Sequence, residues 1–235
     1  MVQTFSQFLG ESNASTPLTK EQIKFLNAVV AGKWFYNQSG KIDVTGDVRI
    51  HDYLGITEFP VQFGTVSGKF DCNGCNKLIS LKGAPRKIEG DFYCGECNSL
   101  TSLEGGPETV EGSAFIRKCQ NLTSLKGGPS YVGSELMCSN NTKLKTLEGA
   151  PKEMGEESIF GITGCVYLES LMGAPIMKYP EGDIWIGGCR SLPVEETELK
   201  ENHPDLFNEW LKSGKKIKDF LQQKRGTVKG REFGF

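Results

Sequence analysis

The sequence predicts an α+β solenoid: about seven coils of 22 residues, a parallel β-sheet along one face, and helices closing both ends. Three observations carry that prediction. Residues 70–91 (FDCNGCNKLISLKGAPRKIEGD), 92–113 (FYCGECNSLTSLEGGPETVEGS) and 114–135 (AFIRKCQNLTSLKGGPSYVGSE) repeat with a period of 22. Inside each repeat an apolar–polar–apolar alternation is followed by two leucines and a Gly-Ala-Pro or Gly-Gly-Pro turn. Helix signals stand on either side of the repeat region, in residues 19–32 and 195–224.

The columns of the repeat justify each element. Units start at Val48, Phe70, Phe92, Ala114, Leu136, Phe160 and Ile184, the last two displaced by two-residue insertions placed at 158–159 and within 176–183. Those insertions bulge one rim, as surface decoration or as a partner-specific loop. Position 1 is apolar throughout, and position 3 holds Ile50, Cys72, Cys94, Ile116, Cys138, Ile162 and Ile186, the period of a short strand. Position 9 (Leu78, Leu100, Leu122, Leu144, Leu168) and position 12 (Leu81, Leu103, Leu125, Leu147, Leu171) supply the rest of the core. A lone coil buries four or five such side chains at about 1.5–3 kcal/mol each. The ordering entropy of its residues, about 1–2 kcal/mol apiece, is larger. Coils therefore fold only when stacked.

Open ends of a stack expose core and strand edges, so the flanks are expected to cap it. Residues 1–47 are assigned to an N-terminal helix and hairpin, 48–194 to the solenoid, and 195–235 to a C-terminal helical cap with a basic tail. Thr19 and Gln22 form a capping box, Ile23, Leu26, Val29 and Val30 share a helical face, and Gly32 is expected to stop the helix. Trp34–Tyr36 and Lys41–Val44, joined by 37–40, read as a hairpin. At the other end, helices are expected over 195–212 and 215–224.

The chain has 235 residues, with 27 basic against 29 acidic side chains and a net charge of −2, which excludes a uniformly basic nucleic-acid coat. No stretch approaches 18 apolar residues, and the first 15 residues lack the basic and apolar regions of a secretory signal. A cytoplasmic protein without membrane association is the expectation. Two numbers remain unusual: 29 glycines and eight cysteines. Twenty-two of the glycines fall between Gly46 and Gly188, mostly at coil turns. Cys72-x2-Cys75 and Cys94-x2-Cys97 have the spacing of a four-cysteine zinc site. The repeat favours another reading. Position 3 exchanges Cys for Ile, and position 6 (Cys75, Cys97, Cys119, Asn141, Cys165, Cys189) exchanges Cys for Asn. A column that accepts Cys, Ile or Asn is being used for packing and for bonding neighbouring backbone, so no metal and no cofactor is assigned.

The string F-x-C-x-x-C-x-x-L-x-x-L resembles the cysteine-containing, BspA-like leucine-rich repeats. With Trp34 and the segment 40–48 (GKIDVTGDV) before the first full coil, it is similar to leucine-rich-repeat proteins of tailed bacteriophages. The likeness covers roughly residues 33–192. It implies a leucine-rich-repeat-like solenoid that binds a protein on its concave sheet face; a bacterial host enzyme or defence factor is the expected partner. It implies no reaction. The coil at 114–135 departs from the motif, with Ala114 for the strand aromatic and Ile116 for the first cysteine.

Side chains at positions 2 and 4 of each strand point onto the sheet face, so the candidate partner-binding residues are Arg49, His51, Asp71, Tyr93, Phe115, Arg117, Met137 and Trp185. Exposed aromatics with Met and Arg are the composition of interface centres. The alternative, that these cross-strand neighbours only stabilise the sheet, stays open. Lys215, Lys216, Lys218, Lys224, Arg225, Lys229 and Arg231 form a basic C-terminal segment, either a solvated helix face or a contact for nucleic acid. A structural component of a virus particle is the further alternative. The two histidines, His51 and His203, lie far apart, and no nucleophile elbow, metalloprotease or phosphate-loop pattern occurs, so no catalytic residue is assigned.

Overall fold

The computed structural model describes residues 17–50, 55–177 and 182–225. The first element among the described residues is α1 (Lys20–Val29), which runs directly into β1 (Val30–Tyr36), and β1 pairs antiparallel with β2 (Ile42–Arg49). Thereafter strands come in twos: β3 (Phe63–Val66) and β4 (Phe70–Asp71), β5 (Lys87–Ile88) and β6 (Phe92–Gly95), β7 (Thr109–Val110) and β8 (Ala114–Arg117), β9 (Tyr131–Val132) and β10 (Glu135–Ser139), β11 (Glu153–Met154) and β12 (Ile159–Thr163). The last strand is β13 (Asp183–Gly187), and three helices follow: α2 (Val194–Asn202), α3 (Pro204–Ser213) and α4 (Ile217–Arg225).

The result is a parallel-strand β-solenoid. Its first ladder runs β2–β4–β6–β8–β10–β12–β13, aligning Val48, Phe70, Phe92, Ala114, Leu136, Phe160 and Ile184. Six turns thus lie between the seven expected starts. A second parallel ladder, β2–β3–β5–β7–β9–β11, goes beyond the single sheet face that the sequence predicts; it aligns Val44, Val66, Ile88, Val110, Val132 and Met154 at the same 22-residue interval. Since β2 belongs to both ladders, the boundary placed between 47 and 48 falls inside a strand. The described coil residues contain no helix, whereas a leucine-rich repeat pairs its strand with a helix or 3₁₀ turn.

Glycine marks where successive coils come closest. Gly83, Gly105, Gly127, Gly149 and Gly173 all have positive φ (80–95°), and a Cβ on Gly127 would lie 2.4 Å from the Glu104 Cα of the preceding coil. Gly32 does not stop α1. It lies inside β1 against Thr45, where a Cβ would meet the carbonyl oxygen at 2.0 Å. Helix α1 ends earlier, at Val29, because Val30 adopts extended backbone. The capping box at Thr19 and Gln22 forms as the sequence predicts.

Core side chains stack in columns. The leucines of positions 9 and 12 from Leu78 to Leu171 are fully buried, as are Phe70, Phe92 and Phe160 of position 1. Phe25, Leu26 and Val29 of α1 join this core at one end. At the other, Leu199, Phe207, Trp210, Phe220 and Leu221 do so. The expected single helix over 195–212 is broken at His203, whose φ and ψ are −143° and 64°. Pro204 takes the first position of α3 and excludes helical backbone from the residue before it.

Glu196 of α2 shows how the stack ends. Within the solenoid, the Leu81 and Leu103 N–H groups donate to the Glu104 and Lys126 carbonyls of the next coil at 3.0 and 2.8 Å. The unit that follows the coil of Leu171 begins at Ile184 but passes into α2 before its own turn, and the Leu171 N–H donates instead to Glu196 Oε2 at 2.6 Å, with Ser170 Oγ donating to the same carboxylate. A side chain thereby supplies the acceptor that another coil would have provided.

Candidate functional site

The first ladder fixes what its outer face presents. Position 2 places Arg49, Asp71, Tyr93, Phe115, Met137, Gly161 and Trp185 on consecutive strands in register. Tyr93 and Phe115 stack with centroids 5.0 Å apart and planes at 19°. The Arg117 guanidinium lies 4.6 Å from the Phe115 centroid, and Lys69 Nζ lies 5.5 Å from that of Tyr93. Met137 bends over Gly161, where a Cβ would meet its Sδ at 2.3 Å, and so bridges toward Trp185 on the last strand. Trp185 is 52% exposed. The structure thus brings Tyr93, Phe115, Arg117, Met137 and Trp185 into one strip.

Arg49 and Asp71 extend the same column beyond Tyr93. Arg49 pairs with Asp47 at 2.9 Å, and Asp71 Oδ1 accepts the Asn73 N–H. His51, Lys229 and Arg231 lie outside the described residues, as does the side chain of Arg225. Among the basic C-terminal residues, Lys224 pairs with Glu209 and Lys215 Nζ donates to Gln223. Lys216 and Lys218 are exposed.

Lys69 also belongs to the strip, although strand alternation does not select it, because it sits one residue before its strand, at position 22. Lys69 Nζ bonds Asp91 at 3.2 Å, and both Asp91 and Tyr93 hold its ammonium above the ordinary lysine range. Burial works against the Asp91 carboxylate, but the Ser113 N–H, Lys69 and the Tyr93 hydroxyl outweigh it and hold its pKa low. Asp47 has the same role at the preceding turn. Its Oδ1 accepts the Lys69 N–H at 2.9 Å, which pulls its pKa down. These carboxylates tie consecutive coils at the corner between the two ladders.

The cysteines form a second cluster, inside the coils. Each position-6 side chain donates to the position-3 carbonyl of the preceding coil. Cys75 reaches Ile50 at 3.2 Å, Cys97 reaches Cys72 at 3.2 Å, Cys119 reaches Cys94 at 3.4 Å and Cys165 reaches Cys138 at 3.5 Å. Asn141 does the same with Nδ2 on Ile116 at 2.8 Å, while its Oδ1 accepts the Cys119 N–H. The sulfurs of Cys97 and Cys119 likewise face the N–H of Cys75 and Cys97. Cysteine and asparagine thus share one job in this column. The sulfurs of Cys72, Cys94 and Cys97 come within 4.8 Å of one another, whereas Cys75 bonds one coil further down and is not of that group. Zinc would need these sulfurs as thiolates. The thiols of Cys119, Cys72 and Cys97, with burial, push Cys94 up. Against the pull of Cys94, the Cys97 thiol and burial push Cys72 up, whereas the thiols of Cys119, Cys72 and Cys94 pull Cys97 down.

Charged columns elsewhere pair opposite signs, while Phe35, Ile79, Tyr167 and Val194 are further exposed apolar side chains outside the strip. Lys82, Glu104 and Lys126 alternate in sign, and Lys126 bridges Glu104 at 3.4 Å. Arg86 pairs with Glu108 and Lys87 with Glu111 beside a shallow depression on the second ladder. Fold and site together define a β-solenoid with an aromatic strip across one sheet face. No family model, curated protein or solved structure matches the chain.

Proposed function

We propose that this protein is a non-catalytic binding module that captures a protein partner on the outer face of its first ladder. The observation that carries the reading is the strip Tyr93–Phe115–Met137–Trp185. It is a continuous apolar run in register, with Tyr93, Phe115 and Met137 half-buried and Trp185 exposed, on a molecule whose charged columns pair opposite signs. Contiguous aromatic, Met and Arg side chains are what interface centres use. We read the terminal helices as caps that leave this face open. The resemblance to leucine-rich-repeat proteins of bacteriophages directs the search to cytoplasmic proteins of a bacterial host.

The test is capture from bacterial lysate by the wild-type chain and by Phe115→Ala and Trp185→Ala. The wild type is expected to retain one stoichiometric partner, and each variant to retain at least tenfold less. Trp185 is exposed, so its variant should keep the wild-type thermal midpoint, while loss of the Tyr93 stack should lower that of Phe115→Ala by a few degrees without unfolding it. Equal capture by folded variants would refute the reading.

A further inference from the structure

We propose that the partner contacts the strip through an acidic polypeptide segment, with apolar anchors against the rings and a carboxylate on Arg117. The inference rests on the binding-module reading above and names the chemistry of what binds.

The stacking geometry removes the usual ligands of an aromatic platform. One face of Phe115 is covered by Tyr93 at 5.0 Å, so the guanidinium at 4.6 Å occupies the other. Tyr93 has Phe115 on the side of the following coil, and the Lys69 ammonium of the preceding coil lies at its hydroxyl end, 3.5 Å from the oxygen. Tyr93, Phe115 and Arg117 form a stack of ring, ring and cation. Phe115 therefore offers no open face for the base stacking by which single-stranded nucleic acids bind aromatic surfaces, and the 52% exposed Trp185 ring stands at the far end of the strip as an anchor.

Charge points the same way. Arg49, Lys69 and Lys118 are each paired, with Asp47, Asp91 and Glu96 at 2.9, 3.2 and 3.0 Å. Arg117 is exposed on the strip and forms no ion pair among the described residues; it packs on the Phe115 ring. A guanidinium with free N–H groups takes a carboxylate bidentately. From Tyr93 to Trp185 the strip crosses four strand spacings of about 4.8 Å, roughly 19 Å, enough for about 12 helical residues. That span holds an apolar anchor at each end and an acidic residue between them.

The test is selection from a random 16-residue peptide library on the wild-type protein, on Phe115→Ala and on Arg117→Glu. Wild-type binders are expected to need Phe115, to combine Asp or Glu with Leu, Phe or Trp, and to weaken at least tenfold on Arg117→Ala. Selection on Arg117→Glu is expected to turn the peptide charge from acidic to basic. A 15-nucleotide single-stranded DNA is assayed in parallel, and Phe115-dependent binding of it would overturn the proposal. Peptides that need Phe115 but carry no acidic excess, or whose charge ignores Arg117→Glu, overturn the acidic assignment alone and leave the face a protein-binding surface. Peptides that ignore both Phe115 and Trp185 overturn the binding-module reading as well.

Discussion

Asn141 stands where five other coils place cysteine, and its amide makes with two atoms the bonds that a thiol makes with one. Two backbone groups depend on it, the Cys119 N–H and the Ile116 carbonyl, both buried between coils. Asn141→Leu keeps the volume and removes both bonds, so it is expected to cost about 2–6 kcal/mol, at roughly 1–3 kcal/mol for each buried group left unpaired. Asn141→Cys restores the chemistry of the neighbouring coils and is expected to stay within about 1 kcal/mol of wild type. Urea unfolding of the two variants checks this, and equal losses would show that the column is read by size alone. This column was legible in the sequence because exchange of Cys for Asn, and of Cys for Ile three residues earlier, has no common meaning except packing beside backbone. The Lys69–Tyr93–Phe115–Arg117 cluster was only partly legible. Tyr93, Phe115 and Arg117 follow from strand alternation, but Lys69 reaches the strip from the corner, and alternation says nothing of corner residues.

Among the elements, α2 shows what a solenoid needs at its end. Glu196 is buried, and desolvation raises its pKa, although the Leu171 N–H and the Ser170 hydroxyl favour the charged form. A carboxyl whose pKa is higher folded than unfolded binds more protons in the native state. Its contribution is complete below the ordinary glutamate value of about 4.3 and is lost as pH rises through the raised value. Glu196→Gln keeps an acceptor for Leu171 without the charge, so its stability relative to wild type should improve as pH rises from 4 to 8. Glu196→Ala leaves the Leu171 N–H unpaired and is expected to cost about 1–3 kcal/mol at every pH in that range. Thermal midpoints of the three proteins across pH 4–8 test both statements; parallel curves for wild type and Glu196→Gln would refute the linkage. The corner carboxylates work in the opposite sense. The pKa values of Asp47 and Asp91 are lowered, so their contribution is present above the ordinary aspartate value and is lost as pH falls through the folded values. The second ladder is hidden from a sequence reading for a related local reason. Four of its strands are two residues long, too short to show alternation. Their signal lies in the 22-residue column Val44, Val66, Ile88, Val110, Val132 and Met154, visible only by reading down the repeat.

At the scale of the whole molecule, each coil contacts mainly its neighbours, so the chain should tolerate loss of a complete coil and not of a partial one. Removing 114–135 joins Ser113 to Leu136 and keeps every column in phase. Phe92 would then align with Leu136, Tyr93 with Met137 and Cys94 with Cys138, and Asn141 would meet Cys97 N–H and the Cys94 carbonyl as it now meets Cys119 and Ile116. The shortened chain is expected to unfold in one cooperative transition, with a denaturant slope reduced by about a tenth, the share of the 235 residues removed. Removing 114–133 instead shifts every later residue by two, setting the Gly-Gly-Pro and Gly-Ala-Pro turns against the wrong rungs, and should abolish cooperative folding. The in-phase deletion also separates architecture from function. It takes out Phe115 and Arg117 while sparing Tyr93, Met137 and Trp185, so it should fold yet lose capture of the partner at least tenfold. Insertion of a second copy of 114–135 doubles the Phe115–Arg117 unit and should fold with a higher thermal midpoint. A folded in-phase deletion that still captures the partner as well as the full chain would place the binding surface elsewhere on the solenoid, and loss of folding in both deletions would show that its coils are not interchangeable.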